Sequence, residues 1–156
     1  MQLSTTERLS GNLVIGQSGT TQEVCDAVLR EIQESGILAT LDVDSLGIYV
    51  VSPDAGIYDS VAFWKLALDQ GPGFMSPQQF PWTLSNAPGA YIARQLCAHG
   101  PNLTLVDDWI CPLLPQVRYD LKTGKCRNAL VIYINFSDRT NSYFIVFAMS
   151  AGGSSR

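Results

Sequence analysis

Hydrophobic residues along the chain gather in short continuous runs, separated by polar stretches and by stretches with helical spacing. Five such runs predict strands, at residues 12–16, 46–51, 103–106, 129–136 and 143–149. The run LGIYVV at 46–51 is apolar throughout, which is typical of a strand buried on both faces of a parallel sheet. The last two runs flank the polar segment SDRTNS and therefore predict a hairpin.

Helical spacing between these runs predicts four helices. The first opens at a Ser/Thr-rich cap ahead of Glu23 and ends at Gly36. The second is capped by Asp59 and Ser60 and stopped at Gly71. The third covers about residues 86–98 and the fourth residues 109–122. Prolines at 112 and 115 mean that the fourth helix starts late, near Pro115, or is kinked. Phe63 and Trp64 of the second helix are interpreted as core residues rather than binding residues.

The alternation of strands and helices predicts an α/β fold with a mostly parallel sheet and helices on both faces. The chain has 156 residues, of which 46% are hydrophobic, so we expect one domain over residues 11–150. Residues 1–10 are expected to be loose, and residues 151–156 to form a disordered tail.

Charge and hydropathy exclude several classes of partner. The formal net charge is −4 and there is no run of lysine or arginine, so the chain lacks the basic footprint of a nucleic-acid or anionic-membrane binder. No apolar run approaches the roughly 20 residues that span a bilayer, and the N-terminus does not resemble a signal peptide. We therefore expect a cytoplasmic location.

The cysteines do not form a metal-binding pattern. Cys25, Cys97, Cys111 and Cys126 have no short paired spacing, and His99 is the one imidazole in the chain. We expect free thiols, no metal site and no cofactor.

The most informative stretch covers residues 75–109. A helix is followed by a break at Gly100, then a short strand, then Asp107 and Asp108 at the start of the next helix. This order of elements is how α/β enzymes present a nucleophile, but here that place is held by Trp109.

The stretch SPQQFPWTLSNAPGAYIARQLCAHGPNLTLV, residues 76–106, resembles the β-ketoacyl synthases of the thiolase-like superfamily. The shared pattern is a Ser-Pro…Phe-Pro loop, an Asn-Ala helix, a Gly-Pro-Asn turn and a strand that leads to the nucleophile elbow. The similarity extends over about residues 12–135, the N-terminal half of the family. The resemblance implies a single thiolase-like half with a five-stranded mixed sheet, in the order 3-2-1-4-5, whose last strand is antiparallel.

The resemblance also implies that the family's catalytic route is missing. The family places its acyl-accepting cysteine nine residues after the glycine of the turn, and here that position is Trp109. Indole cannot be acylated under these conditions. The family's two catalytic histidines belong to a C-terminal half that the resemblance places outside this sequence. The chain thus resembles a truncated form of the family's chain-length factors, which lack the catalytic cysteine, and we expect a pseudoenzyme.

Weak catalytic candidates remain at Cys111 and Asp108. The negative charges of Asp107 and Asp108 disfavour a thiolate at Cys111. Adjacent carboxylates at a helix start are usually caps, although a buried pair can act as general acid and base. Candidate residues for a ligand cleft are Trp82, Asn86, Asp107, Asp108 and Trp109.

The resemblance further implies an interface. In the family, the strand after the Gly-Pro-Asn turn pairs across a dimer axis, which here involves Leu103, Thr104, Leu105 and Val106. A lone half would also expose the apolar face of the helix after Trp109. We therefore expect a homodimer, or a heterodimer with a ketosynthase-like protein. The absence of a basic patch disfavours direct docking of an acyl carrier protein.

Two functions remain open at this point. The first is a non-catalytic ketosynthase-like subunit of polyketide or fatty-acid-type biosynthesis that acts by association. The second is an enzyme with repurposed chemistry, or a binder of acyl or CoA-type ligands, that uses the cleft around Trp109, Asp107 and Asp108. A purely structural role for a degenerate homologue is also compatible with the sequence.

Overall fold

The computed structural model describes residues 4–14, 20–138 and 141–150. The strands are β1 (Ser4–Val14), β2 (Leu46–Val51), β3 (Asn102–Leu105), β4 (Asn128–Asp138) and β5 (Asn141–Ser150). The helices are α1 (Thr21–Glu34), α2 (Ile57–Gln70), α3 (Ala87–Gln95) and α4 (Leu114–Thr123). Short 3₁₀ turns lie at Ile37–Thr40, Val43–Ser45, Pro72–Phe74, Phe80–Thr83 and Cys111–Leu113.

The strands form one mixed sheet. Its inner part has the order β3-β2-β4-β5, and β1 lies beyond β5 at the far edge. Strand β2 pairs in parallel with both β3 and β4, whereas β5 is antiparallel to β4 and to β1. The predicted hairpin between the last two strands is confirmed.

The predicted strand order 3-2-1-4-5 is wrong, because it placed the first strand in the middle of the sheet. In the structure β2 pairs directly with β4, and β1 is an edge strand. The physical reason is visible in the two sequences. All six residues of β2 are buried, as a central parallel strand requires, whereas β1 contains Glu7 and Arg8, which suit an edge.

Helices cover both faces of the sheet, as predicted. Helices α1 and α3 pack on one face through residues that include Val28, Ile32 and Ile92. Helix α4 packs on the other face through Val117 and Leu121. The core is therefore divided into two layers by the sheet.

The ends of the helices follow local chemistry. Thr20 caps α1 with a capping box, in which its hydroxyl accepts from the backbone N–H of Glu23 and its own N–H donates to the Glu23 carboxylate (2.7 Å). Helix α2 starts earlier than predicted, at Ile57, because Gly56 adopts a left-handed conformation (φ 77°) that begins the helix before Asp59. Helix α4 starts late, at Leu114, with Pro115 in its first turn, which is one of the two alternatives expected from the prolines.

The terminal segments correct one prediction and leave others outside the described residues. Residues 4–10 belong to β1, so a loose segment over residues 1–10 is wrong for that part. Their pairing with β5 satisfies backbone groups that a loose segment would expose to water. Residues 1–3, 15–19 and the predicted tail at 151–156 lie outside the described residues.

Gly100 sets the position of β3 against β2. Its N–H donates to the carbonyl oxygen of Leu46 (3.0 Å), and a Cβ at Gly100 would lie 2.5 Å from that oxygen. The next residue, Pro101, accepts from the N–H of Ile48 (2.8 Å). The turn can approach the backbone of β2 this closely only without a side chain.

A buried polar network joins β2 to α4. The Tyr49 hydroxyl donates to Oδ2 of Asp120 (2.8 Å), while Oδ1 accepts from Gln116 (2.9 Å) and forms an ion pair with Lys125 (3.2 Å). Burial alone would raise the pKa of the Asp120 carboxyl, but the hydrogen bonds from its three donors outweigh burial and hold the pKa below its usual value. Burial raises the pKa of the Tyr49 hydroxyl and of the nearby Cys126 thiol, so both stay protonated.

We expect Gly100→Ala to destabilise the protein by about 3 kcal/mol, because the added methyl group overlaps a backbone oxygen that cannot move aside without breaking the β2–β3 pairing. Chemical denaturation followed by circular dichroism measures this change. Gly73→Ala is the matched control, since a Cβ there meets no atom within 4 Å. Equal effects of the two substitutions would contradict this role for Gly100.

The lowered pKa of Asp120 predicts a pH dependence of stability. A carboxylate whose folded-state pKa is depressed stabilises the fold above its unfolded pKa, and that stabilisation is lost as pH falls below about 4. The difference in unfolding free energy between the wild type and Asp120→Asn should therefore shrink as pH falls from 6 to 3. Urea denaturation at each pH tests this, and a constant difference would show that the charge of Asp120 has no stabilising role.

Candidate functional site

The segment after β3 holds the position at which the resemblance places a nucleophile. Trp109 is 72% exposed there. Its backbone N–H donates to Oδ1 of Asp107 (2.9 Å), so this carboxylate closes a local turn in the segment that leads to α4. Asp107 therefore closes a turn ahead of the helix and does not cap α4, which starts at Leu114 without a side-chain cap.

The other catalytic candidates are not arranged for nucleophilic chemistry. Cys111 and Asp108 are both exposed, and Cys111 lies in the 3₁₀ turn before α4. His99 precedes β3 whereas Cys111 follows it, so the imidazole and the thiol lie toward opposite ends of that strand. The described structure thus gives Cys111 no imidazole base.

The proposed cleft residues are distributed over two regions. Trp82 lines a cavity between the start of α1, one side of α2 and the segment 76–82. Asp107, Asp108 and Trp109 do not line this cavity. Asn86 lies immediately before α3, at its N-cap position, and its side chain makes no capping hydrogen bond.

This cavity, which we call the α1–α2 cavity, has a volume of about 570 Å³. Both apolar and polar residues line it. The apolar lining residues are Ala62, Phe63, Leu66 and Trp82. The polar lining residues are Thr20, Gln22, Asp59, Ser76, Gln78 and Gln79. A smaller cavity of about 460 Å³ lies beside it, between the start of α2 and residues 83–85.

Neighbouring contacts hold the walls of the α1–α2 cavity in place. The Trp82 ring packs against Tyr91, with 5.1 Å between the ring centroids. The Tyr91 hydroxyl donates to Oδ1 of Asp26 (2.6 Å), a hydrogen bond that raises the pKa of Tyr91. On the opposite wall, Thr21 donates a hydrogen bond to Oδ2 of Asp59, which ties α2 to the start of α1.

Cys25 lies below this region but offers no nucleophile. Its side chain is fully buried, and burial raises the pKa of the thiol. The negative charges of Asp26 and Asp59 raise that pKa further. Cys25 is therefore a neutral core residue.

The four interface candidates on β3 divide into two pairs. Leu103 is 40% exposed and Val106 is 51% exposed. Thr104 faces α3, where a Cβ at Gly89 would lie 2.9 Å from its hydroxyl, and Leu105 packs against the cluster under α4. Half of the predicted interface is therefore available to a partner.

The predicted apolar surface on the helix after Trp109 is wrong. Val117 and Leu121 of α4 face the sheet, and its outward positions carry polar and charged residues such as Arg118 and Lys122. Tyr119 is the one large apolar side chain exposed on this helix (55%), so α4 presents no continuous apolar face.

Helix α2 carries the exposed apolar surface instead. Its exposed large apolar side chains are Ile57, Val61, Trp64 and Leu68, which we call the α2 stripe. Their spacing of four, three and four residues places them on one face of the helix. The interpretation of Phe63 as a core residue is confirmed, but that of Trp64 is wrong, since Trp64 is 59% exposed. The spacing is visible in the sequence, but periodicity does not tell whether an apolar stripe faces the core or solvent.

Two further features concern metal ions and membranes, and both refer to the part of the chain that the structure describes. No group of three or more His, Cys, Asp or Glu side chains there is placed to hold a metal ion. No helix in that part is long and apolar enough to cross a membrane.

Comparisons by sequence identify no relative: no protein-family model matches the chain, and no curated protein matches it. Comparisons of structure find chains with a similar fold. The ishigamide ketosynthase/chain length factor matches with a TM-score of 0.61 and 13% identity, over 72% of this chain and 37% of that chain. A structure of the ketosynthase ApeO in complex with its chain length factor ApeC, from Xenorhabdus doucetiae, matches with a TM-score of 0.60 and 12% identity, over 99% of this chain and 81% of that chain.

A third match is a 3-oxoacyl-(acyl-carrier-protein) synthase III, with a TM-score of 0.56 and 11% identity, over 100% of this chain and 52% of that chain. The chain thus spans between about a third and four fifths of the structures that it matches. At these identities the likeness concerns the fold. The chain is therefore similar in fold to these ketosynthase structures.

Proposed function

We propose that the chain is a non-catalytic, ketosynthase-like subunit of polyketide or fatty-acid-type biosynthesis, and that it acts by association with itself or with an active synthase. The observation that carries this proposal is the exposed edge of the sheet at β3.

Strand β3 has the properties of an interface strand. It is the last strand of the sheet, so one side of its backbone has no strand neighbour among the residues described. It also exposes Leu103, and Val106 directly follows it at 51% exposure. Natural proteins cover or charge such edges, because an open edge with apolar side chains pairs with other chains. A partner strand at β3 would satisfy the free backbone groups and bury both side chains.

The similarity to synthase complexes supports a ketosynthase-like partner. Two of the matched structures contain a ketosynthase and a chain length factor. The match to the ApeO–ApeC structure covers nearly all of this chain and most of the matched one, so the two chains are of similar length. A chain of this size with this fold is therefore found in one such complex, which favours a heterodimer as the working assembly.

The region around Trp109 supports a non-catalytic role. An indole ring occupies the place where the resemblance implies an acyl-accepting cysteine, and the nearby Asp107 carboxylate is occupied as a turn cap. The Trp109 ring is free to contact a partner, because it is 72% exposed. We propose that it shapes or closes the acyl tunnel of the partner synthase.

The alternative function, an enzyme or a binder of acyl or CoA-type ligands, is less well supported by the structure. It needs Trp82 and the Asp107–Trp109 segment in one cleft, and Trp82 lines a cavity that does not include the other three. That cavity also lacks a lysine or arginine among its described lining residues, which a CoA phosphate would require.

We expect the double substitution Leu103→Lys and Val106→Lys to weaken association at least tenfold, because it places two charges at the open edge of the sheet. Sedimentation velocity of the chain alone, and of the chain co-expressed with a full-length synthase encoded by a neighbouring gene, measures the effect. Tyr119→Lys on α4 is the matched control, because Tyr119 is also exposed (55%) but lies on a helix and not at the open edge of the sheet. Association that is unchanged in the double variant would rule out β3 as the interface.

We expect Trp109→Ala to change the products of an active complex without dissociating it. Removal of the indole opens space beside the partner's site, so the distribution of acyl chain lengths should shift to longer products. Mass spectrometry of the products, together with the sedimentation measurement, tests this. An identical product distribution would refute a tunnel role for Trp109, whereas loss of the complex would assign it to the interface.

A further inference from the structure

The α1–α2 cavity has the size of a small-molecule site and a mixed lining. Its volume of about 570 Å³ falls within the range of ligand pockets, and four apolar residues line it together with six polar ones. Helix α2 presents Asp59 and, one turn further along, Phe63, whereas the segment 76–82 presents Trp82 and the neutral amides of Gln78 and Gln79. The cavity lies apart from the Asp107–Trp109 segment, so it is independent of the function proposed above.

The charge of the lining excludes one large class of ligands. Asp59 is the single charged residue among the described residues that line the cavity, and the chain as a whole carries a net charge of −4. A phosphate or carboxylate group would have to leave water for a site that offers no cationic side chain and one carboxylate, and the N-terminus of α1 beside it is already occupied by the Thr20–Glu23 capping box. Anionic acyl or nucleotide ligands therefore do not fit this cavity.

A cationic ligand fits for two reasons. Oδ2 of Asp59 accepts the Thr21 hydroxyl, and a carboxylate has about four acceptor positions, so capacity remains for an ammonium donor. Aromatic faces attract cations through the quadrupole of the ring, and both Phe63 and Trp82 line the same space. A carboxylate together with aromatic rings is the combination that recognises an organic ammonium group.

The walls are positioned before any ligand arrives. Phe63 packs against Phe80 with 5.8 Å between centroids, and Trp82 packs against Tyr91, which is itself held by Asp26. Such support lowers the entropic cost of binding, because the aromatic side chains are already ordered.

We infer that the α1–α2 cavity binds a small organic cation, in which a primary ammonium group contacts Asp59 and an aromatic or aliphatic body packs between Phe63 and Trp82.

The test compares two probes that share an apolar body and differ in charge, the phenethylammonium ion and the 3-phenylpropionate anion. Titration followed by ¹⁵N–¹H NMR of the full chain at low ionic strength should give a Kd of about 1 mM or tighter for the ammonium probe. The carboxylate probe should bind at least tenfold more weakly. Equal affinity for the two probes, or no shifts with the ammonium probe at 10 mM, would overturn the inference.

Two variants separate recognition by Asp59 from general damage to the fold. Asp59→Asn should weaken binding of the ammonium probe at least tenfold. Asp69 is an exposed carboxylate on the same helix that does not line the cavity, so Asp69→Asn should leave that affinity unchanged. Ala62→Phe keeps Asp59 and its bond to Thr21 but fills the cavity, so it should abolish binding while the spectrum remains that of a folded chain. Binding that survives Ala62→Phe, or that responds equally to Asp59→Asn and Asp69→Asn, would place the probe elsewhere and overturn the inference.

Discussion

Strand β2 is the constraint on which the rest of the structure depends. Its six residues are all buried, and its five side chains lie alternately under α1 and α3 on one face and under α4 on the other. It is also the strand that holds β3 and β4 in parallel register. Two contacts position its neighbours. Gly100 lets the turn before β3 approach the backbone of β2, and the hydrogen bond from Tyr49 of β2 to Asp120 holds α4 against the sheet. The position of the segment that carries Trp109 therefore follows from the packing of one strand.

The sequence predicted the elements well where local chemistry determines them. The apolar run of β2, the capping box of α1 and the late start of α4 each depend on residues that are close in the chain. The strand order depends on contacts between distant residues, and an apolar run does not identify its neighbours. The order taken from the family resemblance failed for the same reason, since β1 could be placed only by the pairing that it makes with β5.

The candidate site also divides into features that nearby residues determine, which the sequence predicts, and features that distant contacts determine, which it does not. The sequence identified the segment at Trp109, where Asp107 closes a local turn, but the helix that Asp107 was expected to cap starts only at Leu114. It grouped Trp82 with that segment, but the tertiary structure places Trp82 against Tyr91 and beside α2 instead. Trp64 was assigned to the core because an aromatic residue in an apolar helix is usually buried. Its exposure depends on the way α2 is attached, which no local pattern records.

That attachment rests on few groups. Phe63 is the one buried side chain of α2, Tyr58 packs against the core, and hydrogen bonds from Thr21 to Asp59 and from Ser60 to the Thr83 carbonyl oxygen hold the helix to its neighbours. Segments with few buried apolar contacts open at a lower free energy than the core, so α2 is expected to undock while the sheet remains folded. Undocking would remove one wall of each of the two cavities and would move the α2 stripe away from the rest of the molecule. A ligand in a cavity, or a partner on the α2 stripe, that binds only when α2 is docked stabilises the docked state. Two such binding events would then strengthen each other, because both depend on the same docking equilibrium of α2.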